Sequence, residues 1–214
     1  MLHIKTFSFN LLQENTYVVY DDTQECVIID CGAYYQEERD ALVNFVNELQ
    51  LKPVHLLCTH GHFDHNFGIN TAYETWGLKP EISADDEWLI TDLSGQFEAM
   101  AGIKLKWKYP APGHFFTRDE TIHFGNHELQ ILRTPGHTPG GVSFWCKEEN
   151  VVFTGDTLFR MSIGRTDFER GSYDDILNSL TQVLALLPAD TKVYPGHGPM
   201  TNIGEEAAFN PYMK

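Results

Sequence analysis

Thr59-His60-Gly61-His62-Phe63-Asp64-His65 places four metal-capable side chains within six residues. The stretch follows Val54-His-Leu-Leu-Cys58, a short apolar run that Pro53 separates from the helical pattern before it. It therefore reads as a loop leaving the carboxyl end of a buried strand. Imidazole and carboxylate suit borderline cations such as zinc, and a short loop lets such groups converge while the strand fixes the backbone. A polar surface loop that happens to be rich in histidine is the plain alternative. Three downstream residues argue against it: His137 in Thr134-Pro-Gly-His-Thr-Pro-Gly-Gly141, Asp156 in Phe153-Thr-Gly-Asp-Thr-Leu-Phe159, and His197 in Tyr194-Pro-Gly-His-Gly-Pro199. Each follows a strand-like run and is bracketed by Gly or Pro, which permit a tight backbone path. One histidine in a Pro-Gly turn is more often structural than a ligand; seven such positions together make coincidence a poor explanation.

Moving outward, runs rich in β-branched and aromatic residues predict strands near 2–9, 15–20 and 26–30. Residues 35–50 follow as an amphipathic helix with Leu42, Val43, Phe45, Val46 and Leu49 on one side. After the histidine loop a helix is expected from Asn66 to Gly77, a strand over 80–84 and a helix from Asp85 to about Asp92. Gly95 to Arg118, with Pro110, Pro112 and Gly113, reads as a loop over the site. Strands at 121–124 and 127–133 join through Phe124-Gly-Asn126, a hairpin signal. Strands at 141–146 and 150–154, a helix near 173–187 and a strand at 191–194 complete the order. Two similar halves of strands then helices predict an α/β chain, a four-layer αββα sandwich of two mixed sheets with helices on both outer faces. One domain spanning 1–214 is expected.

Hydrophobic residues at 42% and charged residues at 21% exclude a disordered chain. A net charge of −15, with a pI near 4.9 and no Lys/Arg cluster, argues against nucleic acid and anionic membrane surfaces as partners. No secretory signal and no apolar stretch of about 18 residues is present, and Cys26, Cys31, Cys58 and Cys146 form no Cys-x-x-Cys pair. Reduced thiols and a cytoplasmic location are the expectation.

His-x-His-x-Asp-His with the later Pro-Gly-His, Gly-Asp and Gly-His resembles the five-part signature of the metallo-β-lactamase superfamily, along essentially the whole chain. Thr134-Pro-Gly-His-Thr-Pro-Gly140, Gly155-Asp-Thr-Leu-Phe159, Gly164-Arg-Thr-Asp-Phe168 and Gly196-His-Gly-Pro-Met-Thr-Asn-Ile-Gly-Glu205 resemble the glyoxalase II-like thioester hydrolases, closest to their short single-domain group. The resemblance implies two divalent metals, zinc first with iron or manganese as alternatives. One would be held by His60, His62 and His137, the other by Asp64, His65 and His197, with Asp156 bridging both. It also implies the activity: a metal-bound hydroxide cleaves a small-molecule thioester of the hydroxyacylglutathione type, in a monomer or homodimer. Asp64 and Asp156 are the carboxylates expected to take part in that chemistry.

Arg165, nine residues after Asp156, has two readings: it holds a substrate carboxylate, or it pairs internally with Asp167. In two-domain glyoxalase II a helical domain supplies much of the glutathione site; with only 17 residues after His197, this sequence is expected to lack it, which weakens the expectation of glutathione recognition. Persulfide dioxygenases of the same superfamily carry a similar Gly-Arg-Thr-Asp-Phe stretch and use one iron. That chemistry would need only His60, His137 and Asp156. His3, His55, His114, His123 and His127 lack ligand-like surroundings and are read as structural.

Overall fold

Val18, Val19, Val27 and Ile28 are fully buried, because two β-branched runs lie side by side in the middle of a sheet. The computed structural model describes residues 1–214. Its contacts divide the chain into two units, Met1–Phe116 with Phe124–Asn126, and Thr117–His123 with His127–Lys214.

The first unit opens with an antiparallel meander of β1 (His3–Phe9), β2 (Glu14–Tyr20) and β3 (Glu25–Ile29). Helix α1 (Gln36–Glu48) then crosses over to β4 (Lys52–Leu57), parallel to β3. Helix α2 (Ile69–Trp76), β5 (Pro80–Ile82), α3 (Glu87–Ile90), α4 (Leu93–Ala101) and β6 (His114–Phe115) follow, giving the sheet order β1-β2-β3-β4-β5-β6. Leu42 and Val46, one helical turn apart, bury the inner stripe of α1 against the core that contains Ile28 and Leu56. The Glu38 carboxylate starts that helix by accepting from the backbone N–H of Tyr34, Tyr35 and Asn10 at 2.8, 3.0 and 2.7 Å.

The second unit holds β7 (Thr121–Phe124), β8 (His127–Arg133), β9 (Val142–Cys146), β10 (Val151–Gly155), a short β11–β12 hairpin (Leu158–Phe159, Ser162–Ile163), α5 (Tyr173–Gln182), β13 (Lys192–Pro195), β14 (Thr201–Asn202) and α6 (Ile203–Phe209). Its sheet runs β14-β13-β10-β9-β8-β7 and is also mixed, since β13 pairs parallel with β10 while β8–β9, β9–β10 and β13–β14 are antiparallel. Antiparallel steps from β8 to β9 to β10 leave β8, β10 and β13 pointing the same way, so residues 134–137, 156 and 196–197 all leave one edge of this sheet.

Several local expectations need correction. Residues 95–118 are not wholly a loop: α4 takes in their first turns, started by the Asp92 side chain accepting from Gly95 N–H at 3.1 Å and stopped by Gly102 at φ 68°. Gly95 inside the helix hid the periodicity. Helix α2 starts at Ile69 rather than near Asn66, because the Asn66 amide donates back to the carbonyls of His60 and His62 at 3.0 and 2.7 Å. The helix expected over 173–187 ends at Gln182; Val183 at φ −122° breaks it before a 3₁₀ turn at Leu184–Leu186. The Lys/Arg balance needs correcting too. Lys104, Lys106 and Lys108 are all exposed on a segment outside helices and strands, while Leu105 and Trp107 between them and Tyr109 after them are wholly or partly buried. Interleaved with apolar residues they form no run, and it is the burial of those apolar residues that leaves the three ammonium groups together at the surface.

All four cysteines are free and buried. Burial pushes the Cys26 thiol up to about 12 and raises those of Cys31 and Cys58 as well, so none is a nucleophile near neutrality. No helix is long and apolar enough to cross a membrane.

Helix α6, absent from the sequence expectations, is anchored by Glu206. Its fully buried carboxylate accepts from Thr201 Oγ1 at 2.6 Å, Met161 N–H at 2.8 Å and Asn210 Nδ2 at 2.8 Å. Glu206→Ala strands three donors and should cost about 3 kcal/mol, a fall in Tm of about 8 °C at this chain length. Thermal and urea unfolding check this; a loss under about 1 kcal/mol means that the donors find other partners.

Candidate metal centre

In the first unit the parallel pair β3–β4 delivers two loops to the same edge, Asp30-Cys31-Gly32 after β3 and Thr59 to His65 after β4. Asp30, at φ 51° and 1% exposed, accepts from the Thr59 N–H at 2.7 Å and from Thr59 Oγ1 at 2.8 Å. Its carboxylate also faces His65 Nδ1 at 2.9 Å. A carboxylate can only accept here, so His65 carries its proton on Nδ1 and presents a bare Nε2. That Nε2 lies 3.8 Å from Asp64 Oδ2. The Thr59 hydroxyl has given its one proton to Asp30, so its contact with His60 Nδ1 at 3.0 Å must be donated by the imidazole. His60 is thereby set to the same tautomer. Its ring lies 4.2 Å from that of His65 and 4.8 Å from that of His62.

The backbone of this loop is held as firmly as its side chains. Asn10 donates to the carbonyls of Asp64 and Gly32, both at 2.9 Å, and Asp86 accepts from Gly61 N–H at 2.9 Å. Beneath His65, Glu14 is completely buried and binds the Thr16 hydroxyl at 2.8 Å; burial raises its pKa well above the ordinary carboxylate value, partly offset by His65. Asp30, His60 and His65 bring their ligand atoms within 4.8 Å of one another. Asp30 is engaged with His65 Nδ1 and acts as its orienting partner.

In the second unit His137 Nδ1 lies 2.7 Å from the carbonyl oxygen of Arg165. A carbonyl only accepts, so His137 also has its proton on Nδ1 and a bare Nε2, which is 3.5 Å from Asp156 Oδ2. His197 Nε2 is 3.7 Å from the same oxygen. One carboxylate oxygen thus stands between two imidazole nitrogens. Gly164 makes the His137 contact possible: a Cβ there would run into the Asp156 carbonyl oxygen and lie 3.2 Å from the His137 ring. Arg165 itself is exposed, and its Nε and Nη2 donate to the two Asp167 oxygens at 2.6 and 2.7 Å. Its guanidinium hydrogen bonds hold the Asp167 carboxyl down at about 2. The guanidinium lies 4.1 Å over the Phe168 ring, and Phe168 meets the His137 ring edge-on at 5.9 Å.

His60, His62, Asp64 and His65 are thus brought together in one unit, and His137, Asp156 and His197 in the other. Nε2 donors fixed by an Nδ1–H bond to a carboxylate, hydroxyl or carbonyl, set beside carboxylate oxygens, fit borderline divalent cations. Of the remaining histidines, His55 pairs with Glu81 at 2.7 Å and His127 with Glu149 at 3.1 Å, both away from these groups. Sequence reading passed over Asp30, Thr59 and Glu14. Asp30 left one signal, a carboxylate directly after a run of buried strand residues; Glu14 and Thr59 left none.

A family model of the metallo-beta-lactamase superfamily matches residues 9–197. The chain is similar to hydroxyacylglutathione hydrolase GloC of Haemophilus influenzae, 33% identical across 99% of this chain and 98% of that protein. Among solved structures it resembles the B3 metallo-beta-lactamase BLEG-1 with a TM-score of 0.90 and 33% identity, covering 99% of this chain and 100% of that one. It also resembles TTHA1623, solved in a di-iron-bound form, with a TM-score of 0.83 and 33% identity over 97% and 99% of the two chains. These matches run through every motif described above, and the fold expected for the chain is the fold of these structures. The chain belongs to the metallo-β-lactamase superfamily, a superfamily of hydrolases that bind divalent metals.

Proposed function

We infer that the two groups of side chains work as one binuclear centre within a single catalytic domain, and that the chain hydrolyses a thioester of the hydroxyacylglutathione type. His60, His62 and His137 would hold one divalent cation and Asp64, His65 and His197 the second, with Asp156 as the carboxylate shared by the two. The observation that carries this reading is Asp156 Oδ2, 3.5 Å from His137 Nε2 and 3.7 Å from His197 Nε2, with the His137 proton committed to the opposite nitrogen. When bound, such a pair of cations supplies an activated water and polarises the substrate carbonyl.

The chain's own residues do the rest. Asp30, Thr59 and the Arg165 carbonyl hold the imidazoles in the tautomer that leaves Nε2 bare. No protein nucleophile is required, in keeping with buried thiols whose pKa values are raised. A leaving thiolate has a pKa of about 8–9 and departs with little help from a general acid. Zinc is the first choice of metal, with iron or manganese next. The second cation's ligand set replaces a neutral imidazole with the carboxylate of Asp64, a harder donor. Support for a thioester comes from the Gly196-His-Gly-Pro199 motif and from likeness to GloC, while the Gly164-Arg-Thr-Asp-Phe168 stretch is shared with the dioxygenase reading. Likeness to BLEG-1 favours a second substrate class, β-lactams, and the assay includes one. Arg165 is the candidate for a substrate carboxylate, which would take the place of Asp167.

The decisive experiment purifies the protein without added metal, counts zinc, iron and manganese per chain, and assays acyl-glutathione, a neutral thioester, a β-lactam and oxygen uptake on a persulfide with one sample. Thioester turnover with about two metals per chain is the expected result. A single iron with persulfide-dependent oxygen uptake replaces the hydrolase reading with a dioxygenase. Chelation to below about a tenth of a metal per chain should abolish turnover, because the nucleophile depends on the cations; full activity of that sample overturns the mechanism.

Asp156→Ala should lower metal content and rate more than any single histidine change, since it removes the ligand shared by both cations. Two retained metals with near-normal turnover in this variant would end the bridging role. For Arg165→Ala, the ratio of KM for an anionic thioester to KM for a neutral one should rise about tenfold, or about 1.4 kcal/mol. An unchanged ratio makes Arg165 a structural partner of Asp167.

A further inference from the structure

The chain carries 15 Lys and Arg against 30 Asp and Glu, yet three of those lysines fall within five residues, at Lys104, Lys106 and Lys108. All three side chains are exposed, and none takes part in an ion pair. The residues that alternate with them are turned inward. Leu105 is 8% exposed, and with Trp107 and Tyr109 it packs on Tyr34, Phe63, Phe67 and Phe97. Trp107 lies 5.6 Å from Tyr34, and Phe63 lies 5.6 Å from Phe97, ring centre to ring centre.

Phe63 belongs to the histidine loop itself, so this aromatic base rests directly on the loop that carries His60, His62, Asp64 and His65. A second tie runs through α4. Ser94 Oγ donates to the Leu105 carbonyl at 3.1 Å, while the Gln96 amide donates to the Gly61 carbonyl at 3.2 Å and accepts from Phe63 N–H at 3.3 Å. The lysines thus project from a braced ledge beside the histidine loop. The Arg39 guanidinium, 5.0 Å over the Trp107 ring, continues the strip of positive charge.

At a net charge of −15, the surface repels polyanions at long range, and only a local basic strip reverses that field. Flexible ammonium groups suit anions spaced along a chain better than one planar carboxylate, which calls for a guanidinium fork. We propose that Lys104, Lys106 and Lys108 bind the thiol carrier of the thioester substrate, a carrier bearing two or more carboxylate or phosphate groups. This rests on the thioester reading and deepens it: the lysines grip the leaving thiol's anionic tail and so determine which thioesters are used.

The test compares the metal-loaded wild type with two triple variants, K104S/K106S/K108S and K104R/K106R/K108R, after thermal unfolding has shown equal Tm. KM is measured at low and high salt for an acyl-glutathione, an acyl-coenzyme A and the neutral acyl-N-acetylcysteamine, and calorimetry measures binding of free glutathione and coenzyme A. Exposed ion contacts contribute a few-fold each, so in the serine variant the ratio of charged to neutral KM should rise about tenfold at low salt and less at high salt. The arginine variant should keep the wild-type ratio. A rise confined to acyl-glutathione identifies carboxylates as the group bound, and one confined to acyl-coenzyme A identifies phosphates. An unchanged ratio in the serine variant overturns the proposal while leaving thioester hydrolysis intact. Should the wild type cleave no thioester, that reading falls by itself, and calorimetry decides the strip. Binding of either thiol that is lost with serine and kept with arginine upholds it; equal binding by all three proteins, or none by the wild type, overturns it.

Discussion

The Asp30 carboxylate, 1% exposed at the end of β3, is the group on which the histidine cluster of the first unit depends. A buried charge survives only when its oxygens are bonded, and this one is bonded to the residues that matter: Thr59 N–H, Thr59 Oγ1 and His65 Nδ1. Two consequences follow from one desolvated group. The loop after β4 is pinned to the loop after β3, and both His65 and, through Thr59, His60 are driven into the tautomer that exposes Nε2. Neither histidine chooses its own proton position.

The second unit reaches the same chemical end by another route. No buried carboxylate orients His137; the backbone carbonyl of Arg165 does, and it reaches His137 only because Gly164 has no side chain to collide with Asp156. The parallel pairing of β10 with β13 then sends Asp156 and His197 off one edge of the sheet, so that two short loops, and not a long flexible one, set the distances to Asp156 Oδ2. Precision of this sort comes from strand ends more readily than from loops alone. It also explains the glycines and prolines around each histidine, which allow a reversal within two or three residues of a strand.

Arg165 illustrates how one residue serves through two unrelated groups. Its carbonyl oxygen fixes His137, a duty any residue at that position performs, while its guanidinium pairs with Asp167 and covers Phe168. Side-chain replacement therefore probes only the second duty. The same separation holds for the ledge at 104–109, where apolar side chains set the position and the charged ones between them face solvent.

His60, His62, Asp64 and His65 in one unit, and His137, Asp156 and His197 in the other, could be proposed as ligands from the sequence because metal chemistry restricts the residue types and turn chemistry restricts their neighbours. The α/β class was legible too, since strand and helix periods differ, and α1 lies inside its expected bounds. What the sequence could not determine were effects created by residues distant in the chain. Asp30 becomes an orienting group only when β3 and β4 pair in parallel, Glu14 acquires its raised pKa only when strands bury it beneath His65, and Arg165 acquires its role through a carbonyl that every residue possesses. Helix α4 was masked by Gly95, and α6 owes its place to Glu206 reaching Met161 and Thr201. Burial and close backbone approach exist only once the chain has folded, and they decide which ring nitrogen carries the proton in His60, His65 and His137.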